Sequence, residues 1–179
     1  NETHIVDLSS DAKVIAESNG HIYHTANIEE FEETIFFDLI LGLNIIEHVN
    51  NPLSVLKKIQ TLLKKEGRVI LKTPNSDSLD AKIFKNYYWG GLHCPRHWTI
   101  FSEKSFCLTI QKTKMNIQSI KYTQGAPFWS TSVIYWMIIN KLTMPLNKKP
   151  IYLHPLYMIF GVLFAIFDLP RSFFFRTLR

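Results

Sequence analysis

The chain has 179 residues, 46% of them apolar, a formal net charge of +5 and two cysteines. That length suits one domain with a sizeable core rather than two, and two cysteines, Cys94 and Cys107, exclude a disulfide-framed fold and fit a reducing cytoplasm. The charge is lopsided: residues 1–50 hold ten acidic side chains and one basic, Lys13, leaving five acidic and nineteen basic beyond, a balance that suits an anionic partner or a solvated surface.

His4 to Asp7 reads as the end of a strand, followed by a short helix capped by Ser9 or Ser10 and closed at Asn19-Gly20. His21 to His24 is a weak strand, with the turn Asn27-Ile28 and an acidic stretch, residues 29–33, after it. Phe37 to Leu43 is almost continuously apolar, the pattern of a parallel strand covered on both faces. Pro52 suits a first helical turn, and Leu53, Leu56, Ile59, Leu62 and Leu63 follow at helical spacing. Lys64-Lys65-Glu66-Gly67 reads as the close of that helix, and the lysines at 57, 58, 64 and 65 as its solvated face. Val69 to Leu71 is the next buried strand. Strand and helix alternating at these intervals predict βαβ units in an α/β, doubly wound, mostly parallel sheet.

From Ser78 to Trp98 the pattern changes to an aromatic insert with Phe84, Tyr87, Tyr88, Trp89 and Trp98 around Gly90-Gly91. Ser102 can cap a helix through Phe106 and Leu108, and Ile117 to Tyr122 reads as a further strand. Two apolar helical stretches, Val133 to Ile139 and Leu156 to Phe167, close the chain. The uncharged run Ile151 to Phe167 falls short of the roughly 20 residues that span a bilayer, so a buried or interfacial helix is expected.

Four motifs come in one order: Glu47-His48 after the fourth apolar segment, Thr73-Pro74-Asn75 after the fifth, then Pro95-Arg96-His97 and Phe101-Ser102. In this the chain resembles the class I S-adenosylmethionine-dependent methyltransferases, in particular the branch that includes ubiquinone-biosynthesis enzymes, over about residues 4 to 128. The resemblance implies a Rossmann-like sheet and S-adenosylmethionine as cofactor. It also places the family's first strand and glycine-rich loop before residue 1, so the chain is expected to be an N-terminally truncated member lacking that strand. Residues 1–128 are then a partial methyltransferase domain, and 129–179 an apolar, basic helical extension that packs on it or on a membrane surface.

Asp7, at a strand end, can accept hydrogen bonds from both ribose hydroxyls of an adenosine cofactor, or it merely favours the helix start that follows. The resemblance places Asn27 and Ile28 near the adenine, and Leu43 and Asn44 beside the methionine portion. In quinone O-methyltransferases of similar sequence a Glu-x-x-Glu-His motif can hold a divalent metal; here its first position is Asn44, so no metal ligand is assigned. His48 and His97 are candidate catalytic imidazoles, able to take a proton from an acceptor hydroxyl near neutral pH, or packed histidines bonded to backbone. Glu47, Arg96 and Trp89 are candidate substrate contacts, with plain helix-start, surface and core roles as their alternatives.

The expected reaction is methyl transfer to an oxygen of a small-molecule or lipid-linked acceptor, in the cytoplasm and with peripheral membrane contact through the cationic tail (Lys141, Lys148, Lys149, Arg171, Arg176, Arg179). The alternative is a non-catalytic, methyltransferase-like module on a membrane surface. Asn44-Ile45-Ile46-Glu47 lacks the Asp/Asn-Pro-Pro-aromatic signature of many base-modifying relatives, so no nucleic acid partner is expected. A P-loop lysine motif and a nucleophile-elbow serine motif are absent too.

Overall fold

The computed structural model describes residues 2–32, 35–86, 88–123, 125–147 and 149–177. Its first half is two parallel strand pairs, each a strand-helix-strand unit. Strand β1 (His4–Asp7) passes through helix α1 (Lys13–Ser18) to β2 (Ile22–Thr25), and β3 (Phe37–Leu43) passes through α2 (Pro52–Leu62) to β4 (Leu63–Lys72). In the first pair His4 lies opposite Ile22 and Asp7 opposite Thr25; in the second, Leu39 lies opposite Arg68 and Leu43 opposite Lys72.

The single doubly wound sheet expected from the sequence is therefore resolved into two halves, with no ladder between β1 and β3 among the described residues. The strand order explains this. In the order 3-2-1-4-5-6 the pairs 3-2 and 4-5 flank strand 1 and do not bond to each other.

Three local expectations are corrected. Helix α2 ends at Leu62, before Lys64-Lys65-Glu66-Gly67, because Leu63 turns extended (φ −85°, ψ 140°) and pairs with Phe37. The ladder then shifts register before Leu39 meets Arg68, and Gly67 fits there because a Cβ would stand 2.8 Å from the Phe37 carbonyl oxygen. Neither Ser9 nor Ser10 caps α1: Ala12 holds the N-cap position without a side-chain bond, and Ser9 Oγ accepts from the Asp11 N–H instead. Residues 117–122 form no strand, since no ladder partner reaches them among the described residues and extended backbone needs one.

Helix α2 forms as read: Asn51 caps it by accepting the Ser54 N–H at 3.2 Å, with Pro52 in the first turn. Its apolar stripe, Val55, Leu56 and Ile59, builds a core with Ile46, Phe101 and Ile110, against which Ile40, Val69 and Leu71 pack. The other face of β3, expected to be covered, shows Leu39, Leu41 and Leu43 half exposed, because no described helix lies on it.

Helix α3 (Leu79–Phe84) and a 3-10 turn (Gly90–Leu92) make up the aromatic insert, followed by α4 (Glu103–Gln111) with the Ser102–Ser105 capping box. Phe101 bridges to Asn75, and Ser76 donates to the Phe101 carbonyl at 2.8 Å, fastening this segment to the carboxyl end of β4. Helix α5 (Ala126–Ile139) starts earlier than expected and packs on the insert. Its buried Ser132 hydroxyl accepts the Gly90 N–H at 2.8 Å, and Trp129 meets Phe84 edge to face. Helix α6 (Leu156–Thr177) returns along α5, with Phe164 stacked on Trp129 at 5.0 Å. Tyr87, Lys148 and Arg179 lie outside the described residues, as do the side chains of Arg171 and Arg176.

Candidate functional site

The carboxyl ends of β1 and β3 carry the residues singled out from the sequence. Asp7 is exposed where β1 ends; its Oδ1 accepts the Ser9 N–H at 2.8 Å, which orders the turn and leaves the second oxygen without a bond in the described structure. The Tyr23 hydroxyl donates to the Ser9 carbonyl at 2.6 Å and pins the same turn. Asn27 follows β2 in an Asx turn, its Oδ1 accepting the Glu29 N–H, while Ile28 packs against the main core. Leu43 is half exposed, and Asn44 takes the left-handed conformation (φ 57°), which asparagine tolerates better than most residues. Its N–H donates to the Lys72 carbonyl, so the loop leaves β3 at a defined angle.

That loop delivers Glu47 and His48, and here the structure brings distant residues together. The Glu47 carbonyl accepts the N–H groups of Trp98 (2.8 Å) and Thr99 (3.2 Å), docking the Pro95-Arg96-His97 segment on the β3 loop. The Cys94–Pro95 peptide is cis. His48 Nδ1 donates to the Arg96 carbonyl at 3.0 Å and His97 Nδ1 to the Gly91 carbonyl at 2.7 Å. A carbonyl only accepts, so each ring carries its proton on Nδ1 and keeps a lone pair on Nε2 when neutral. The two rings meet edge to face with centroids 4.6 Å apart. The Glu47 side chain is fully buried beside them, and neither carboxylate oxygen has a hydrogen-bond partner among the described residues. Ligand-capable atoms of Glu47, His48 and His97 all lie within 4.8 Å of one another.

His93 stands on the rim, its ring 5.2 Å from that of His97, in a left-handed conformation (φ 37°). Burial, then the neighbouring His97, Arg96 and His48, holds its imidazolium below the ordinary histidine range. Arg96 is exposed and makes no ion pair among the described residues; it enters the cluster through its backbone.

Trp89 is not at the cluster's surface. It is buried, its indole N–H donates to the buried Asp80 carboxylate at 2.8 Å, and its ring lies against Gly91 and Phe128. The structure thus gives it a core role in place of the expected substrate contact, because the indole donor finds its partner inside the insert. Gly91 and Asp80 were not singled out from the sequence: a glycine under an indole and an aspartate in a short helix carry no local signal. A recess of about 510 Å³ lined by Ile35, Phe36, Leu63, Lys64 and Lys65 opens near the start of β3. It gathers no catalytic groups and lies away from the strand ends where such sheets bind ligands.

Parallel βαβ units with polar groups gathered at the strand ends define a Rossmann-like α/β protein. A family model described as a methyltransferase domain matches residues 2–119, and the chain belongs to this family. An uncharacterized protein of Methanocaldococcus jannaschii is 30% identical over 114 residues, 63% of this chain and 49% of that protein. A ubiquinone biosynthesis O-methyltransferase of Glaesserella parasuis is 32% identical over 83 residues, 39% of this chain and 35% of that enzyme. A solved SAM-dependent methyltransferase of Thermotoga maritima superimposes with a TM-score of 0.52 at 21% identity, covering 62% of this chain and 53% of that one. The chain spans about half or less of the curated relatives it matches.

Proposed function

We propose that the chain belongs to an S-adenosylmethionine-dependent enzyme that methylates an oxygen of a small or lipid-linked acceptor, and that Glu47, His48 and His97 receive the acceptor hydroxyl. The observation that carries this reading is the pair of imidazoles whose Nδ1 atoms are committed to backbone carbonyls, which leaves both Nε2 lone pairs untethered in a cluster that also holds the Glu47 carboxylate. The Glaesserella relative's O-methyltransferase name supports the oxygen acceptor.

S-adenosylmethionine supplies a sulfonium methyl, which transfers as the sulfur keeps the bond's electron pair. The strand ends would hold that cofactor: Asp7 offers a second carboxylate oxygen that could accept from ribose hydroxyls, Asn27 and Ile28 would border the adenine, and the exposed Leu43 and Asn44 would flank the methionine portion. On the acceptor side, an Nε2 lone pair takes the hydroxyl proton, and the buried carboxylate favours the cation so formed. Holding the oxygen in line with the methyl carbon is the larger part of the task, and the Gly91 and Arg96 carbonyls fix both rings for it. The test is calorimetric titration of S-adenosylhomocysteine: binding weakened at least tenfold by Asp7→Ala supports the cofactor side, and no binding by folded protein removes the reading.

A second reading, peripheral contact with a cytoplasmic membrane face, has its own observation. Met158, Ile159, Val162, Leu163, Ile166 and Phe167 of α6 are all more than half exposed, and Lys141 and Lys149 stand in the α5–α6 connection. No described helix is long and apolar enough to cross a membrane, so contact would be in the plane of the surface. Co-sedimentation with vesicles containing phosphatidylserine, lost in the double variant Ile159→Glu and Val162→Glu, tests it; equal sedimentation of the variant rejects it.

A further inference from the structure

We infer that His154 is a proton-operated latch: its neutral imidazole caps α6 and fastens the start of that helix to the α5–α6 connection, and protonation of the ring releases it. The inference rests on neither the methyl-transfer reading nor the membrane reading.

His154 lies between a 3-10 turn (Ile151–Leu153) and α6 and is only 6% exposed. Its Nδ1 accepts the Leu156 N–H at 3.2 Å, and its carbonyl accepts the Tyr157 N–H at 2.9 Å. A helix start leaves its first N–H groups without partners, and a side-chain acceptor at that point is what a cap supplies. Here the acceptor is an imidazole, followed by Pro155, which brings no N–H of its own. A backbone N–H only donates, so Nδ1 carries the lone pair. The proton of the neutral ring is then on Nε2, which donates to the Thr143 hydroxyl oxygen at 3.3 Å. One tautomer of the neutral ring thus satisfies both contacts, and it ties the start of α6 to the end of the segment that leaves α5.

A second ring proton has no place in this setting. On Nδ1 it would face the Leu156 N–H, donor against donor, and abolish the cap. The charge would also sit at the N-terminus of a 22-residue helix, the positive end of its dipole. The titratable and charged groups of the elements packed against His154 are Tyr135 in α5, Lys141 and Lys149 in the connection, Tyr152 in the 3-10 turn and Tyr157 in α6, and none is anionic near neutral pH. No Asp or Glu occurs between Glu103 and Asp168, and Asp168 comes twelve residues into α6, about 18 Å along the axis at 1.5 Å per residue. A buried cation without a partner is costly, so acid favours a helix start that has left its seat. Trp129 carries the consequence further, since it stacks on Phe164 of α6 and meets Phe84 of the aromatic insert. Release of α6 would therefore loosen the cover of the insert whose Gly91 carbonyl holds His97.

The test is NMR of the full chain between about pH 7.5 and about pH 5, the range in which histidine changes charge, following the His154 ring nitrogens and the Leu156 amide. Hydrogen exchange at residues 156–167, corrected for the intrinsic effect of pH on exchange, is measured alongside. Expected are an unprotonated Nδ1 at the upper pH, a Leu156 amide signal that moves with the same midpoint as His154 protonation, and exchange at least tenfold faster at the lower pH. His154→Asn keeps a good cap that takes up no proton, so its exchange should change less than twofold over the same range. His24→Gln, which removes a histidine of β2, should respond as the parent does. The latch is overturned by a His154 ring that stays neutral down to about pH 5, by a Leu156 amide that does not move as His154 titrates, or by exchange in His154→Asn that rises as much as in the parent. Circular dichroism adds one more such outcome, loss of the whole fold before the Leu156 amide responds. Three of these four readings are made on the parent chain and hold even where His154→Asn fails to fold.

Discussion

His48 and His97 meet edge to face with ring centroids 4.6 Å apart, each holding its Nδ1 proton against a backbone carbonyl contributed by the aromatic insert. The arrangement depends on a second layer. The carbonyl that holds His97 belongs to Gly91, and the Trp89 ring lies on Gly91 so closely that no side chain fits there.

Replacing Gly91 with alanine should therefore act on the histidine from behind. The added methyl would strike the Trp89 ring, and either the indole or the Gly91 peptide must shift. We expect a loss of stability of about 1–3 kcal/mol, the usual range for overpacking, and displaced His97 ring signals by NMR. Unchanged His97 signals in the folded variant would show that Gly91 does not position the ring.

Trp89→Phe tests the next layer. It keeps most of the apolar ring but removes the donor to Asp80, a carboxylate that is itself buried. An orphaned buried acceptor costs about 1–3 kcal/mol or more when charged, so urea unfolding should show a loss in that range. The double change Trp89→Phe with Asp80→Leu should recover part of it, because both partners are then apolar.

Asn51 offers a simpler measurement. Its side chain satisfies the Ser54 N–H at the start of α2, whose apolar stripe forms the core under β3 and β4. Asn51→Ala should cost about 1 kcal/mol in urea unfolding, with no change in the S-adenosylhomocysteine titration.

Tyr122 carries a pH dependence with a definite sign. Its hydroxyl donates to Glu103, and that bond, followed by burial, pushes the phenol up to about 12 from an ordinary value of 10.0. A raised pKa means that the fold favours the neutral phenol, so the contribution is complete below pH 10 and lost as pH rises through about 12. Tyr122→Phe should be less stable than the parent at pH 8, and the gap should narrow above pH 10 and close near pH 12. Absorbance of tyrosinate at 295 nm should show one late-titrating tyrosine in the parent that the variant lacks.

Much of the β3–α2–β4 unit was legible in the residues themselves. Asn51-Pro52 is a local start signal, Leu56 and Ile59 repeat at helical spacing, and Val69 to Leu71 is an apolar run whose length suits a strand. The readings that failed depended on partners that no local pattern names. Residues 117–122 have strand-like composition but no ladder to join, and Leu63 leaves the helix because Phe37 is there to pair with it. The candidate site divides in the same way. Glu47-His48 stands out as a motif, whereas its meeting with His97 is set by the Trp98 and Thr99 N–H groups closing on the Glu47 carbonyl, a contact between segments some fifty residues apart.

Glu47 itself gives the sharpest contrast between fold and site. Its carboxyl group is wholly buried, and neither oxygen has a hydrogen-bond partner among the described residues, so the residue opposes folding rather than assisting it. Glu47→Gln keeps the shape and removes the charge, and an amide without partners is less costly to bury than a carboxylate. Urea unfolding should therefore find the variant more stable than the parent by about 1 kcal/mol or more. A variant that is less stable than the parent would mean that the carboxyl group has a protein partner in solution, and the site's charge balance would then lie within the chain.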